Sequence, residues 1–364
     1  MEQSVVTTQA FGPGLHSRAP LPTLHADGVG ESGSAHPPLY PLRFEPIYQY
    51  RLWGGRRLAN LLRAPLPADG PVGEAWLLSD RDDHSSVVAN GPLQGQTLTQ
   101  LLDRWPHEML GALAGRCRRF PLLLKFLDAR DLISVQVHPS DRQTKYLPEG
   151  ETGKTEAWLV LETGPDSIVY AGLEPGITKE GLQRAIENGT VREHLAHFQP
   201  RVGDGIFLRA GTVHALGDVV VFEVQQNSDV TFRLYDWDRV DATTGKARPL
   251  QVEQALACIE FDDCVVGTVL PTLEVSAPTL RERLFFCPQF EVWRIAGELP
   301  FTVGVSGAPR ALVCIEGAGE IQHAGSTSSV SKGDVLLLPA VVGVCVLRPQ
   351  GTLSVLEVSS PAGT

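Results

Sequence analysis

The sequence predicts a mainly β protein made of two related β-barrel or jelly-roll units, with a small helical insertion in the first. Three observations predict this fold class. Short β-rich runs such as "DVVVFEVQQ" and "KGDVLLLPAVVGVCVL" recur between turns of Gly, Pro, Asp and Asn, a pattern typical of sandwiches and barrels. One β segment occurs twice. Helical apolar spacing is confined to two stretches.

Composition narrows the class of function. The 364 residues suffice for two or three domains, and 43% hydrophobic with 20% charged residues is ordinary for a globular protein. A net charge of −11 disfavours a nucleic-acid partner, which normally needs a basic surface. No apolar run reaches the roughly 20 residues that span a bilayer, so no membrane partner is expected. The six cysteines form no CxxC pair, and we expect reduced thiols and a cytoplasmic protein.

The chain order suggests a leader and two domains. Residues 1–38 are rich in Gly, Pro, Ser and His and are expected to be a flexible leader. We expect a catalytic domain at 39–260 and a second β domain without metal ligands at 261–364. Amphipathic helices are predicted at 97–117, with Pro106 a kink or boundary, and at 178–198, with Gly189 interrupting the helix.

The repeat distinguishes the two units. "VGDGIFLRAGTVHAL" (202–216) aligns on "KGDVLLLPAVVGVCV" (332–346), and "EAWLVLE" (156–162) aligns on "RALVCIE" (310–316). The two offsets differ by about the length of the 178–198 insertion. His214 then corresponds to Val344, and Glu156 to Arg310. Only the first copy therefore keeps polar residues where a site would lie.

The strand "DLISVQVHP" points to that site. Alternate side chains of a strand share a face, so Ser134, Gln136 and His138 point away from the core that Val135 and Val137 enter. Glu156 leads into the apolar run "AWLVL", and His214 follows a turn at Gly211. Two His, one Glu and one Gln near strand ends suit a divalent metal such as Zn²⁺; satisfied polar residues of a barrel are the alternative. His194 and His197, three apart on the predicted helix, could also bind metal, but a solvated helix face is the simpler interpretation.

Several long motifs in order carry a family resemblance. They are "YRLWGGRRL", "GEAWLLSD", "FPLLLKFLDARDLISVQVHP", "GKTE", "AGTVHAL" and "NSDVTFRLYDWDR". The sequence resembles mannose-6-phosphate isomerase, also called phosphomannose isomerase, of the cupin superfamily, in its shorter bacterial branch. The resemblance is specific over about residues 40–260 and looser in the C-terminal unit. The leader before residue 39 and the "LLSD" ending depart from the family pattern, and neither affects the proposed metal ligands.

The resemblance implies roles for eight residues. It implies one Zn²⁺ per chain held by Gln136, His138, Glu156 and His214, with a sugar phosphate as substrate. It places an active-site Arg at Arg233 and an active-site Lys at Lys154, and it matches Ser134 to a substrate contact and Glu223 to a site carboxylate.

The implied reaction moves a proton between C1 and C2 of an aldose or ketose phosphate through a cis-enediol(ate). A metal that binds the substrate oxygens stabilises the developing negative charge, and a base moves the proton. Glu223 could be this base or a structural partner of Arg233. Lys154 could move a proton or bind an oxygen.

Arg233 suits the phosphate or a charged intermediate, unless it forms a surface ion pair with Asp236 or Asp238. Two other functions stay open at this level: a non-haem iron oxygenase built on a two-His-one-carboxylate triad, and a sugar-phosphate-binding protein without catalysis. The sequence leaves the oligomeric state and the physiological direction of the reaction open.

Overall fold

The computed structural model describes residues 39–241, 245–261 and 266–361. The expected leader, residues 1–38, and Cys264 lie outside these ranges. The described chain is mainly β, which confirms the predicted fold class. Its strands are β1 (Leu42–Arg43), β2 (Ile47–Gly55), β3 (Val72–Leu78), β4 (Leu122–Ala129), β5 (Val135–Val137), β6 (Glu156–Leu173), β7 (Leu195–Phe198), β8 (Gly205–Leu208), β9 (His214–Gln226), β10 (Phe232–Tyr235), β11 (Thr268–Val269), β12 (Thr272–Val275), β13 (Leu280–Phe286), β14 (Glu291–Gly297), β15 (Phe301–Val303), β16 (Arg310–Glu316), β17 (Ala318–His323), β18 (Ser326–Ser331), β19 (Val335–Leu338), β20 (Cys345–Pro349) and β21 (Leu353–Ser359).

The described residues also form four α-helices: α1 (Leu98–Arg104), α2 (Pro106–Leu110), α3 (Lys179–Glu187) and α4 (Val252–Cys258). Single 3-10 turns lie at Arg57–Asn60, Gly91–Leu93, Gly111–Leu113, Thr144–Tyr146 and Val191–His194. None of the helices in the described ranges is long and apolar enough to cross a membrane.

The first sheet has the order β11-β8-β6-β9-β4-β2-β3, with β5, β7 and β10 attached to its side. In its long central strands, alternate side chains face two different hydrophobic cores. In β9, Val220 and Phe222 join a core shared with the second half of the chain, whereas Val219 and Val221 join the interior of the first unit. Glu223 continues the second series, so its carboxylate faces that interior.

The second half of the chain forms a sheet of order β1-β19-β16-β21-β14-β13-β12 and a four-stranded sheet β15-β20-β17-β18. The register supports the sequence repeat. Glu156 pairs with Leu208 in β6 and β8, and Arg310 pairs with Leu338 in β16 and β19, as the two alignments require. At the equivalent positions of the second unit, Arg310 forms an ion pair with Glu357 at 3.7 Å, and Val344 is 54% exposed.

The helical predictions are right in place and only partly right in extent. A break at Pro106 separates α1 from α2, as predicted, because proline lacks the N–H that a continuing helix needs. Thr97 caps α1 in a reciprocal arrangement: its hydroxyl accepts from Gln100 N at 3.2 Å, and the Gln100 side chain accepts from Thr97 N at 2.9 Å.

The helix predicted at 178–198 is too long. It ends at Glu187, and Gly189 follows with φ of 71°, a left-handed conformation that stops the helix. The chain continues as a 3-10 turn and then β7, so His194 and His197 are not neighbours on a helix face. His197 instead packs against the Tyr170 ring, with centroids 5.7 Å apart. The five cysteines within the described ranges are free thiols.

Candidate active site and metal centre

Three neighbouring strands bring distant parts of the sequence together. Gln136 of β5 pairs with His214, the first residue of β9, and on its other side with Arg233 of β10. The order Arg233–Gln136–His214 therefore crosses the sheet edge in one row. Because paired residues lie about 5 Å apart, residues nearly 100 positions apart in sequence become neighbours.

Glu156 is the meeting point of two histidines. Its Oε1 lies 3.3 Å from His214 Nε2, and its Oε2 lies 3.5 Å from His138 Nε2. The ligand atoms of these three residues all lie within 4.8 Å of one another, and all three side chains are buried. Gln136 Nε2 lies 3.2 Å from His214 Nε2, and a half-turn of the amide presents its oxygen there instead.

Both imidazoles are anchored through the nitrogen that faces away from Glu156. His138 Nδ1 donates to Val230 O at 2.8 Å, and His214 Nδ1 donates to Thr212 O at 3.0 Å. Burial lowers the pKa of both rings, that of His214 to about 4, so both are neutral at pH 7. Each ring therefore directs an unprotonated Nε2 at the carboxylate.

A tight turn supports this arrangement. Gly211 has φ of 91°, and its N–H donates to His138 O at 2.8 Å. A Cβ at this position would lie 2.8 Å from Glu260 Cγ, and the left-handed conformation itself disfavours other residues. The glycine thus ties the loop before His214 to the end of the strand that carries His138.

Lys154 lies at the edge of the same cluster. Its Nζ is 2.8 Å from Glu156 Oε2 and 3.2 Å from His138 Nε2, and the side chain is buried. Burial alone would lower its pKa, but the charges of Glu156 and Glu223 outweigh burial and raise it. The ammonium forms an ion pair with Glu156 Oε2, whereas Glu156 Oε1 has no hydrogen-bond donor among the described residues.

Glu223 occupies a second row across the sheet. It pairs with Trp158 of β6 and Lys125 of β4. Trp158 Nε1 donates to Oε2 at 3.0 Å, whereas Oε1 lies 3.5 Å from Lys125 Nζ and 4.0 Å from Lys154 Nζ without a hydrogen bond from the described residues. Burial, followed by repulsion from Glu156, raises the pKa of this carboxyl. The alternative partners of Arg233 have other contacts in the described structure: Glu223 accepts from Trp158, Asp236 pairs with Arg239 and Arg248, and Asp238 accepts from Tyr235.

Sequence reasoning missed the charged residues around Lys125. Lys125 Nζ also lies 3.6 Å from Glu74 Oε2, and Glu74 accepts from Arg51 Nε at 2.7 Å and from Trp76 Nε1 at 2.7 Å. The signal was present: Lys125 is the one charged residue inside the fully buried stretch "LLLKFL". A lysine is almost never fully buried unless it is paired, so its position predicts acidic neighbours.

These groups open into one cavity of about 470 Å³. Ser134, Gln136, Lys154, Glu223 and Arg233 line it together with residues that the sequence did not single out: Arg51, Glu74, Lys125, Asp229 and Arg248. Arg233 Nε donates to Ser134 Oγ at 3.2 Å. Five of the eight candidate residues thus line the cavity. The other three, His138, Glu156 and His214, contact the lining residues Lys154 and Gln136.

The residues fit a divalent cation. Two neutral imidazoles with anchored Nδ1 atoms and one buried carboxylate supply nitrogen and oxygen ligands that converge on one point. Carbonyl partners on the far side of ligating histidines are typical of metal sites, and the ligand types suit zinc. Glu156 Oε1 is buried without a hydrogen-bond donor among the described residues, which is costly, and a cation at this point would relieve that cost.

Comparison with known proteins gives concordant results. The model of the family described as phosphomannose isomerase type I, catalytic domain, matches residues 42–155. Mannose-6-phosphate isomerase ManA of Bacillus subtilis (strain 168) is 36% identical over 307 residues, 83% of this chain and 94% of that protein. Mannose-6-phosphate isomerase of Streptococcus mutans is 33% identical over 310 residues, 83% of this chain and 93% of that protein.

Solved structures agree. The crystal structure of mannose 6-phosphate isomerase from Bacillus subtilis has a TM-score of 0.79 and 29% sequence identity, covering 87% of this chain and 99% of that chain. A variant of phosphomannose isomerase from Salmonella typhimurium, 17% identical with a TM-score of 0.67, shares the fold over 87% of this chain and 98% of its own. The predicted fold of two cupin-like units is thereby confirmed.

Proposed function

Because this chain belongs to the type I mannose-6-phosphate isomerase family, we propose that the cluster around Glu156 and the cavity beside it form the active site. The protein is an aldose–ketose isomerase that interconverts mannose 6-phosphate and fructose 6-phosphate. Family membership over most of the chain decides against the oxygenase and the non-catalytic binding protein that the sequence alone left open.

The observation that carries the site assignment is the buried Glu156 carboxylate between two unprotonated histidine nitrogens. We propose that Gln136, His138, Glu156 and His214 hold one Zn²⁺ per chain. When bound, the metal would polarise the carbonyl of the substrate and stabilise negative charge on its oxygens. The N/O donor set and the anchored Nδ1 atoms support zinc over the softer metals that prefer thiolates.

Glu223 is the group best suited to move the proton. Glu223 lines the cavity; its Oε2 accepts a hydrogen bond from Trp158, and its Oε1 lies beside two ammonium groups. Burial raises its pKa towards the range in which a carboxylate both takes and returns a proton. We propose that Glu223 takes the proton from C2 of the aldose and delivers it to C1, and that the reverse reaction uses the same atoms.

Lys154 and Lys125 have different roles in the proton transfer: Lys154 would stabilise negative charge on a substrate oxygen, and Lys125 positions Glu223. Lys154 joins the metal cluster to Glu223, because its Nζ contacts Glu156 and lies 4.0 Å from Glu223 Oε1. As an ammonium group it would donate to a substrate oxygen that becomes negative. Lys125 is held between Glu74 and Glu223, where it orients the base and partly offsets its charge.

The phosphate end of the substrate suits the arginine side of the cavity. Arg233 and Arg248 both line it, and a guanidinium presents paired donors to an oxyanion. Ser134 supports Arg233 through its hydroxyl. We also propose that residues 39–260 act as the catalytic domain and 261–364 as the second β domain, and that the protein works in the cytoplasm.

Two substitutions separate metal binding from proton transfer. Glu156→Gln should lower bound metal and turnover together, because it removes the negative ligand. Glu223→Gln should retain the metal, yet lower both turnover and the exchange of substrate hydrogen with deuterated solvent by about 10²- to 10⁴-fold. Glu45→Gln, at an exposed site, is the matched control. A Glu223→Gln enzyme that still isomerises normally would refute the assigned base.

A further inference from the structure

Two arginines converge on one buried carboxylate beside the catalytic cavity. Asp236, which directly follows β10, is 6% exposed. Arg248 donates to it with two nitrogens, Nε to Oδ2 at 2.8 Å and Nη2 to Oδ1 at 2.6 Å. Arg239 Nη2 donates to Oδ1 at 2.5 Å. A two-bond pair of this kind fixes the guanidinium plane as well as its position.

The segment that follows Arg248 is hydrogen-bonded to Arg233. Arg233 Nη1 donates to Pro249 O at 3.0 Å, and Gln251 N donates to Arg233 O at 2.8 Å. Arg248, the residue before Pro249, lines the cavity together with Arg233. Two arginines from segments 15 positions apart are therefore held side by side, one by Ser134 and Pro249, the other by Asp236.

Two guanidinium groups held side by side, as Arg233 and Arg248 are, repel each other unless a carboxylate lies nearby. Burial, followed by the positive charge of Arg248, lowers the pKa of Arg233, and Asp236 is the group that opposes this effect. Burial would raise the pKa of Asp236 itself, but its bonds to Arg248 and Arg239 lower it, so it is ionised at neutral pH. Asp236 thus offsets the repulsion between cations that face one cavity.

We propose that Asp236 is a positioning residue that holds Arg248 beside Arg233, so that the two guanidinium groups bind the substrate phosphate together. The inference rests on the proposed function for the identity of the substrate. Asp236 lies outside the catalytic cavity lining and acts through Arg248, so its removal affects substrate binding and leaves proton transfer at Glu223 intact.

The test compares Asp236→Asn with Asp238→Asn, an exposed carboxylate two residues away that accepts from Tyr235. Asp236→Asn should raise the KM for mannose 6-phosphate about tenfold or more while kcat changes less than about threefold, because uniform binding is lost. Inorganic phosphate should lose competitive affinity by a similar factor. Asp238→Asn should match the wild type in all three.

A double-mutant cycle shows whether the effect passes through Arg248. In an Arg248→Ala background, Asp236→Asn should change KM little further. An undiminished effect in that background, or a loss of kcat with unchanged KM, would overturn the proposal. If Asp236→Asn does not fold, Arg248→Lys tests the same point, since lysine keeps the charge but loses the two-bond pair; unchanged KM there would equally overturn it. Calorimetry with inorganic phosphate alone tests whether Arg233 and Arg248 bind phosphate together, even if the isomerase assignment fails.

Discussion

Glu74 offers a prediction whose size follows from the structure. Its carboxylate is buried and contacts Arg51, Trp76 and Lys125. Burial alone would raise the pKa of Glu74, but Lys125 and Arg51 more than reverse this and lower it from 4.5 to about 2. Replacing Glu74 by Gln keeps the shape and removes the charge, leaving Lys125 with Glu223 as its remaining close buried carboxylate.

The difference between 4.5 and about 2 corresponds to roughly 3 kcal/mol of folding free energy at pH 7. A carboxyl with a lowered folded-state pKa stabilises the protein above its unfolded pKa, and this stabilisation is lost as pH falls towards the folded value. Glu74→Gln should therefore cost about 3 kcal/mol at pH 7 and about half of that at pH 3.

Urea unfolding monitored by tryptophan fluorescence at both pH values measures this difference, with the exposed Glu45→Gln as control. A Glu74→Gln protein as stable as the wild type at pH 7 would contradict the stabilising role of the Glu74 charge. This role would be contradicted equally by a destabilisation that grows as the pH falls, because protonation should make the wild-type side chain resemble glutamine.

Three further predictions follow from the site and the fold. Because Glu223 must be ionised to act as the base and its pKa is raised, kcat/KM of the wild type should fall at acid pH with a midpoint above 4.5. The activity of Glu223→Gln should be reduced about 10²- to 10⁴-fold, and its pH profile should lack this acid-side fall. An acid-side fall that persists in the variant contradicts the assignment of the base. Arg233→Ala should keep its metal by elemental analysis but lose turnover, and full activity would remove Arg233 from the mechanism. Thr97→Ala should lower the free energy of unfolding by about 1 kcal/mol in urea, whereas Thr97→Ser, which keeps the cap, should not.

Much of the fold could be predicted because its signals are local. Turn residues separate short β-branched runs, Pro106 divides two helices, and the repeated Gly-Asp segment is aligned in register by the strands. The second helix was predicted too long because the apolar spacing continues past Gly189. The apolar residues beyond Gly189 include those of β7, which pairs with β6. Helical periodicity does not reveal this tertiary contact.

The site also contains residues that local sequence patterns predict and residues that they do not. Alternation within "SVQVHP" places Ser134, Gln136 and His138 on one face without knowledge of any other strand. Lys125, Glu74 and Arg248 reach the cavity only through pairing between strands or a loop that folds back, so their role depends on register. Sequence reasoning could have marked Lys125 as a buried charge that needs partners, but not which carboxylates would supply them.

We propose that isomerisation requires one metal bound by the Glu156 cluster. The most direct measurement is conversion of mannose 6-phosphate to fructose 6-phosphate by the purified protein and by His214→Ala, with bound metal quantified and a chelator-treated sample restored with zinc. We expect about one zinc per chain in the wild type and turnover that is lost on chelation and regained with zinc. His214→Ala should lose metal and turnover together. Full turnover by metal-free protein, or by a His214→Ala variant that binds no metal, would contradict this proposal.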